Sequence, residues 1–170
     1  FGAFAKGAPI RIIGASSSGA KEVMYYVPAK SPLQSLKEAH GKSIAYSTTG
    51  SSTHIGALRL IAEYGLKDAK IIPTGDAAST TTQTLTGQVD IGWNVGPFNL
   101  DRVASGEIRV IGNLSDSPHM RAQTIRAQIA NAPAVSAKTD AFRRYLKAYQ
   151  ETLDWMYVSP DALKIYMGIV

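Results

Sequence analysis

Hydroxyl side chains gather in this sequence wherever a short apolar run ends. Ser16, Ser17 and Ser18 follow one run, and Thr74-Gly75-Asp76 and Trp93-Asn94-Val95-Gly96 follow two others. The densest group is Ser47-Thr48-Thr49-Gly50-Ser51-Ser52-Thr53, in which only Gly50 lacks a hydroxyl. Neutral donors of this kind hold a carboxylate, sulfonate or phosphate without a salt bridge, above all beside the free N–H groups and partial positive charge of a helix start. Gly50 adds backbone freedom closed to other residues. Plain N-capping by Ser or Thr explains part of the 47–53 group but not the whole of it. Thr48, Thr49, Ser51, Ser52 and Thr53 are therefore candidate ligand contacts, with Ser17, Asp76, Trp93 and Asn94 as candidates at neighbouring strand ends. Trp93 reads equally as core packing or as a flat wall for a ligand. The run Ser79-Thr80-Thr81-Thr82 lies within an expected helix and reads as a solvated face.

Other chemistries lack their residues. Gly14-Ala-Ser-Ser-Ser-Gly19-Ala20-Lys21 approaches a phosphate loop, but Ala20 separates the glycine from the lysine and Glu22 stands where Ser or Thr belongs. Gly41-Lys42-Ser43 lacks the upstream glycine and leads into a strand. Neither a dinucleotide glycine motif nor a nucleophile elbow is present. His40, His54 and His119 have no ligand partner at helical spacing, so no metal is expected. The chain has no cysteine, hence no disulfide, thiol nucleophile or Cys-based metal site. No carboxylate pair is placed for acid–base work, and neither catalysis nor a cofactor is expected. The net charge of +5 falls wholly within residues 1–75 without forming a Lys/Arg cluster of nucleic-acid type, so a mildly positive surface for small anions is the functional reading. No apolar run approaches the roughly 18 residues of a membrane span.

The elements needed to position the hydroxyl groups follow from periodicity. Strands are expected at 9–15, 23–27, 43–47, 70–73, 89–93 and 108–112. A helical turn is expected at 35–40, with helices at 53–64, 77–86 and 97–105, the last with proline in its first turn. On the first of these helices Ile55, Leu58, Ile61 and Ala62 mark one apolar face. Strands alternating with helices across short connections call for an α/β fold with a mostly parallel sheet, in which ligands sit beyond the carboxyl ends of the strands. Residues 113–121 read as a loop and 124–130 as one more strand. A long helix at 140–157 carries Phe142, Tyr145, Leu146, Tyr149, Leu153 and Met156 as a core stripe, and Ser159-Pro160-Asp161 restarts a helix. Phe1-Gly-Ala-Phe4-Ala-Lys-Gly7 reads as a last helical turn with a glycine cap, and the other end stops in mid-element at Met167-Gly-Ile-Val170. The sequence is therefore expected to be part of a longer protein.

Several stretches resemble a known family. Ser35-Leu36-Lys37-Glu38-Ala39-His40-Gly41-Lys42-Ser43-Ile44-Ala45 is similar to the segment that opens the second lobe of extracytoplasmic solute-binding proteins, in the nitrate/sulfonate/taurine group of ABC importers also called NMT1/THI5-like. Gly50-Ser51-Ser52-Thr53-His54, Leu85-Thr86-Gly87-Gln88-Val89-Asp90 and Gly106-Glu107-Ile108-Arg109-Val110-Ile111 resemble further motifs of that group in the same order. Phe4-Ala5-Lys6-Gly7-Ala8-Pro9-Ile10 resembles the approach to the crossover between lobes. The resemblance implies a type II periplasmic-binding-protein-like lobe, a three-layer α/β/α arrangement. Residues 1–20 would be a crossover from an N-terminal lobe, 21–112 the ligand-binding lobe, and 113–170 a crossover strand with C-terminal helices. It implies that Thr49, Ser51, Ser52 and Thr53 grip the head of a small organic anion, while Asp76, Trp93 and Asn94 add cleft contacts. A membrane permease would be the partner and the location periplasmic or extracytoplasmic. The same superfamily contains a thiamine-pyrimidine synthase branch, which uses a cysteine-rich motif and pyridoxal phosphate, and the fold is shared with the effector domain of LysR-type regulators.

Overall fold

A computed structural model describes residues 2–168; Phe1, Ile169 and Val170, at the two ends singled out above, lie outside the described residues. In chain order the elements are α1 (Gly2–Ala5), β1 (Ile10–Ser17), β2 (Val23–Pro28), a 3-10 turn at Leu36–Glu38, β3 (Ser43–Tyr46), α2 (Ser52–Tyr64), β4 (Lys70–Pro73), α3 (Ala77–Leu85) and β5 (Gly92–Val95). They continue with α4 (Leu100–Ala104), β6 (Ile108–Asn113), a 3-10 turn at Leu114–Asp116, α5 (Pro118–Arg121), β7 (Arg126–Asn131), α6 (Ala132–Ala137), α7 (Thr139–Val158) and α8 (Asp161–Met167). These elements form two compact units, residues 17–125 and residues 1–16 with 126–170.

The 17–125 unit holds the hydroxyl groups. Its strands β3 and β4 pair in parallel, Ile44 opposite Ile71. β2 instead pairs antiparallel with β5 on one side and β6 on the other. The expectation of a mostly parallel sheet is therefore corrected. The segment between β2 and β3 holds only a short 3-10 turn, too little for the helical crossover that parallel neighbours require, and β2 takes the slot between β5 and β6 in the opposite sense. The two groups of strands meet just before β5, where Ala45 N–H donates to the Ile91 carbonyl at 2.8 Å and Ile91 N–H donates to that of Ser43 at 3.0 Å, a parallel bridge. Asp90 secures the junction. Its Oδ2 accepts from the Ser43 N–H (2.9 Å) and hydroxyl (2.7 Å), and its own N–H donates to Ser43 Oγ at 2.8 Å.

The face of α2 that packs is not the one the aliphatic pattern suggests. Thr53, Gly56, Ala57 and Leu60 are buried, whereas Ile55 and Leu58 are 48% and 46% exposed. Small residues decide the matter. Gly56 lets the helix close on Leu114, whose Cδ1 lies 2.4 Å from where a Cβ at position 56 would stand. Leu60 then sits fully buried in a core with Val23, Tyr25, Ile44, Ile91 and Leu114, burial that stabilises by about 2 kcal/mol for a side chain of this size. Gly65, with φ of 60°, ends the helix in the left-handed region.

The threonine run on α3 is corrected as well. Thr80, Thr81 and Thr84 are buried; Ser79 and Thr82 face solvent. The three buried hydroxyls donate to the carbonyls four residues back, at 2.7, 2.8 and 2.8 Å, so they enter the core with their polar groups satisfied. Strand β5 starts later than the apolar pattern of 89–93 indicates. Pro97 precedes α4 instead of lying in its first turn, in a turn closed by Phe98 N–H donating to the Val95 carbonyl at 3.1 Å. Residues 113–121, expected as loop, contain the second 3-10 turn and α5.

In the other unit β1 pairs with β7, and α6, which the periodicity does not reveal, precedes α7. The α7 stripe is not a buried core. Phe142, Leu146, Tyr149 and Leu153 are half-buried, and Tyr145 and Met156 are exposed. Helix α8 begins one residue after Pro160, with the Ser159 hydroxyl accepting from Asp161 N–H at 3.2 Å.

Candidate functional site

The 47–53 segment joins the end of β3 to the start of α2. Ser51 takes an extended backbone conformation and caps the helix, its Oγ accepting from the His54 N–H at 3.1 Å. Thr53 is the inner post of the loop. Its Oγ1 accepts from the Ser47 N–H and lies within hydrogen-bond distance of the Ser47 and Ser51 hydroxyls, each contact at 2.9 Å. Thr53 is buried, Ser51 and Ser52 are half-buried, and Thr48, Thr49 and Gly50 are exposed. Among the described residues, Ser47, Ser51 and Thr53 thus spend their hydroxyls on one another, while those of Thr48, Thr49 and Ser52 make no internal hydrogen bond.

This arrangement has a clear electrostatic character. The N–H groups of Ser52 and Thr53, in the first turn, have no acceptor within the helix, and the cap that accompanies them is neutral. An anion therefore meets oriented donors and the positive end of α2 with no carboxylate in the cap. Gly50, at φ 84°, turns its N–H onto His54 Nδ1 at 3.2 Å. That bond makes Nδ1 an acceptor, so in the neutral ring the proton resides on Nε2. The imidazole lies against Tyr46, with ring centroids 4.6 Å apart. His54 and Tyr46 thus belong to the loop's framework. The four-residue spacing of Gly50 and His54 is the only sequence signal of their pairing.

The next strand end is built differently. Asp76 caps α3, its Oδ1 accepting from the Ser79 N–H at 2.8 Å, so a carboxylate already occupies the positive end of that helix. Thr74 is buried, and its hydroxyl contacts the Tyr46 carbonyl (3.1 Å) and Thr80 Oγ1 (2.6 Å). Trp93 is buried too, its indole N–H donating to Thr74 Oγ1 at 3.3 Å. Asn94 is 1% exposed and folds its amide back onto its own turn, donating to the Phe98 carbonyl and accepting from the Val95 N–H at 2.8 Å. The polar atoms of Trp93 and Asn94 are thus committed within the protein. Ser17 closes β1 with a solvent-shielded hydroxyl that has no hydrogen-bond partner among the described residues, and none of their hydrogen bonds links it to the 47–53 segment. The structure brings Ser47, Ser51 and Thr53 into one cluster and Thr74, Thr80 and Trp93 into another.

Solved structures with a similar fold include binding proteins. The periplasmic aliphatic sulphonate-binding protein SsuA of Escherichia coli superposes with a TM-score of 0.79 at 23% identity, over 98% of this chain and 57% of that one. The alkanesulfonate-binding protein SsuA of Xanthomonas axonopodis pv. citri, bound to MOPS, gives 0.76 at 23% identity, over 96% and 55%. The zinc-bound ligand-binding component of an ABC-type import system from Staphylococcus aureus gives 0.64 at 8% identity, over 84% and 48%. This chain therefore spans little more than half the length of the two SsuA proteins. No curated protein sequence matches it. The model of the family described as NMT1/THI5 like matches residues 2–163, and the chain belongs to that family.

Proposed function

We propose that the protein is a non-catalytic, extracytoplasmic solute-binding protein that captures a small organic anion, such as a sulfonate or carboxylate, and delivers it to the permease of an ABC importer. The observation that carries this reading is the start of α2, where a neutral Ser51 cap stands among the uncommitted hydroxyls of Thr48, Thr49 and Ser52. Membership of the NMT1/THI5-like family and the fold shared with sulfonate-binding proteins support it. In this reading residues 21–112 form the ligand-binding lobe of a type II binding protein, residues 1–20 a crossover from an N-terminal lobe, and residues 113–170 a crossover strand with C-terminal helices. Thr48, Thr49, Ser51, Ser52 and Thr53 hold the anionic head, with Ser17, Asp76, Trp93 and Asn94 shaping the neighbouring strand ends. Closure of the two lobes over the ligand then presents a distinct surface to the permease.

Titration calorimetry of the protein with methanesulfonate, butanesulfonate, taurine and short carboxylates tests the reading. The double variant Thr49→Val/Ser52→Ala, which removes two hydroxyls left uncommitted within the protein, is expected to weaken binding at least about tenfold, since each lost hydrogen bond to a charged group is worth about 1.5–3 kcal/mol. Unchanged affinity would reject the site.

A further inference from the structure

At the end of α2 away from the hydroxyl loop, charged side chains of both signs line one cavity without pairing with one another. The cavity measures about 300 Å³ and lies wholly within the 17–125 unit. Buried Leu36 and Ile111 and half-buried Tyr64 give it an apolar lining, and Lys37, Asp116 and Arg121 stand around them. Gly112 on β6 makes the close packing possible: a Cβ there would lie 2.6 Å from Leu36 Cδ1 and 3.0 Å from Asp116 Oδ2. Tyr64 is the last residue of the 13-residue α2, about 18 Å from the helix start at 1.5 Å per residue. The cavity is thus separate from the candidate anion site.

Exposed charges are ordinarily solvated and need no explanation. These three are each held in place by a neutral neighbour. Arg121 Nε donates to the Ser115 carbonyl at 2.9 Å, and its terminal amino groups make no hydrogen bond among the described residues. Asp116 Oδ2 accepts from the Asn113 N–H at 2.8 Å within a capping box, and its other oxygen is uncommitted. Lys37 Nζ lies 5.7 Å from the centroid of the Tyr64 ring, a cation–π distance. Glu38, beside Lys37, turns its carboxylate to the Gln34 N–H (2.9 Å) and the Ser35 hydroxyl (3.3 Å). Asp116 and Arg121 both act on Tyr64: burial above all raises the ionisation of its phenol, Asp116 and Glu63 add to the rise, and Arg121 opposes it. Among the described residues, none of Lys37, Asp116 and Arg121 makes an ion pair, so two cations and a carboxylate are kept apart around an apolar hollow.

We infer that this cavity binds a small zwitterion, a free α-amino acid with an apolar side chain. Its carboxylate meets the Arg121 fork and the Lys37 ammonium, its ammonium meets Asp116, and its side chain covers Leu36 and Ile111 beside the Tyr64 ring. A simple anion leaves Asp116 without a partner, and a peptide terminus brings only one of the two charges. The volume, at the small end of ligand pockets, accommodates a molecule of this size. This inference is independent of the anion-binding reading of the 47–53 loop.

The test is calorimetric titration of the protein with L-leucine and L-phenylalanine, and with isocaproate and isoamylamine, which lack the ammonium and the carboxylate of leucine respectively. An amino acid is expected to bind the wild type at least about tenfold more tightly than either truncated analogue. Asp116→Asn, which keeps an acceptor for the Asn113 N–H, and Arg121→Gln should each weaken amino-acid binding at least about tenfold. Lys37→Gln, at an exposed position, should weaken it as well and keeps the test decisive if either of the others fails to fold by circular dichroism. The double variant Thr49→Val/Ser52→Ala should leave amino-acid binding unchanged. Absence of binding by both amino acids overturns the inference. So does binding that survives all three charge variants, or that is lost in Thr49→Val/Ser52→Ala.

Discussion

The contact between Gly56 and Leu114 allows a sharp test of how α2 is seated. A Cβ at position 56 would stand 2.4, 2.9 and 3.2 Å from Cδ1, Cδ2 and Cγ of Leu114. Three atoms of one side chain are involved, including its branch point, and Leu114 is fully buried, so rotation of a methyl group does not relieve the clash. In an open helix Gly→Ala is favourable by about 1 kcal/mol. Overpacking of a filled core costs about 1–3 kcal/mol. Gly56→Ala is therefore expected to be neutral to destabilising by about 2 kcal/mol instead of stabilising. Leu114→Ala alone should cost about 2–5 kcal/mol through the cavity it leaves. The double variant Gly56→Ala/Leu114→Ala regains the helix preference and fills part of the void, so it should be more stable than the sum of the single effects by about 1–3 kcal/mol. Urea denaturation followed by circular dichroism, with a common slope across the series, measures all three. Additive effects, or a Gly56→Ala variant stabilised by the full helix preference, would refute the seating of α2 on Leu114.

Two further outcomes follow from the surroundings of Tyr25 and Asp90. Tyr25 is fully buried with a hydroxyl that has no hydrogen-bond partner among the described residues, and burial pushes its ionisation well above the ordinary tyrosine range. Tyr25→Phe removes an unpaired polar group and is expected to raise stability by about 1 kcal/mol, read as a higher urea midpoint; a loss of similar size would show that the hydroxyl is satisfied. Burial pulls the Asp90 carboxyl upward, but the Ser43 N–H and hydroxyl and the Lys42 ammonium outweigh it and hold its pKa below the usual value. Because the folded-state value is the depressed one, Asp90 contributes stability above about pH 4, the ordinary carboxylate range, and loses it as the pH falls through the folded-state pKa. The stability gap between wild type and Asp90→Asn should thus stay constant near neutrality and close on acidification; a gap that widens in acid contradicts this sign.

Local signals in the sequence carried some elements fully. β4 begins and ends where its apolar run does, and Gly65 and Gly87 stop their helices in the left-handed conformation. Asp90 and Ser43, which lie in separate family-like motifs, meet across the sheet junction. Features set by distant residues were less legible. Ile55 and Leu58 of α2 point outward because Gly56 and Ala57 permit a closer approach to a leucine 58 positions away, and periodicity does not weigh absent side chains. Threonines on α3 enter the core because each hydroxyl finds a carbonyl in its own helix, which composition records only as polarity. The place of β2 depends on pairing with β5 and β6, which no local pattern specifies. At the candidate site the density of hydroxyls was plain, but their division into mutually bonded and uncommitted groups depends on side-chain geometry.

The helices that follow the paired strands β3 and β4 begin with caps of different charge, Ser51 on α2 and Asp76 on α3. This difference gives the rim of the sheet a polarity of its own. Negative charge is welcomed at one helix start and opposed at the next, one strand away. A molecule carrying both signs of charge, such as an amino sulfonate, would feel a torque as well as an attraction, its anionic end drawn toward Ser51 and its ammonium toward Asp76. If the start of α2 holds the anion as proposed, orientation precedes tight contact, and rotational freedom is lost during approach and not only on binding.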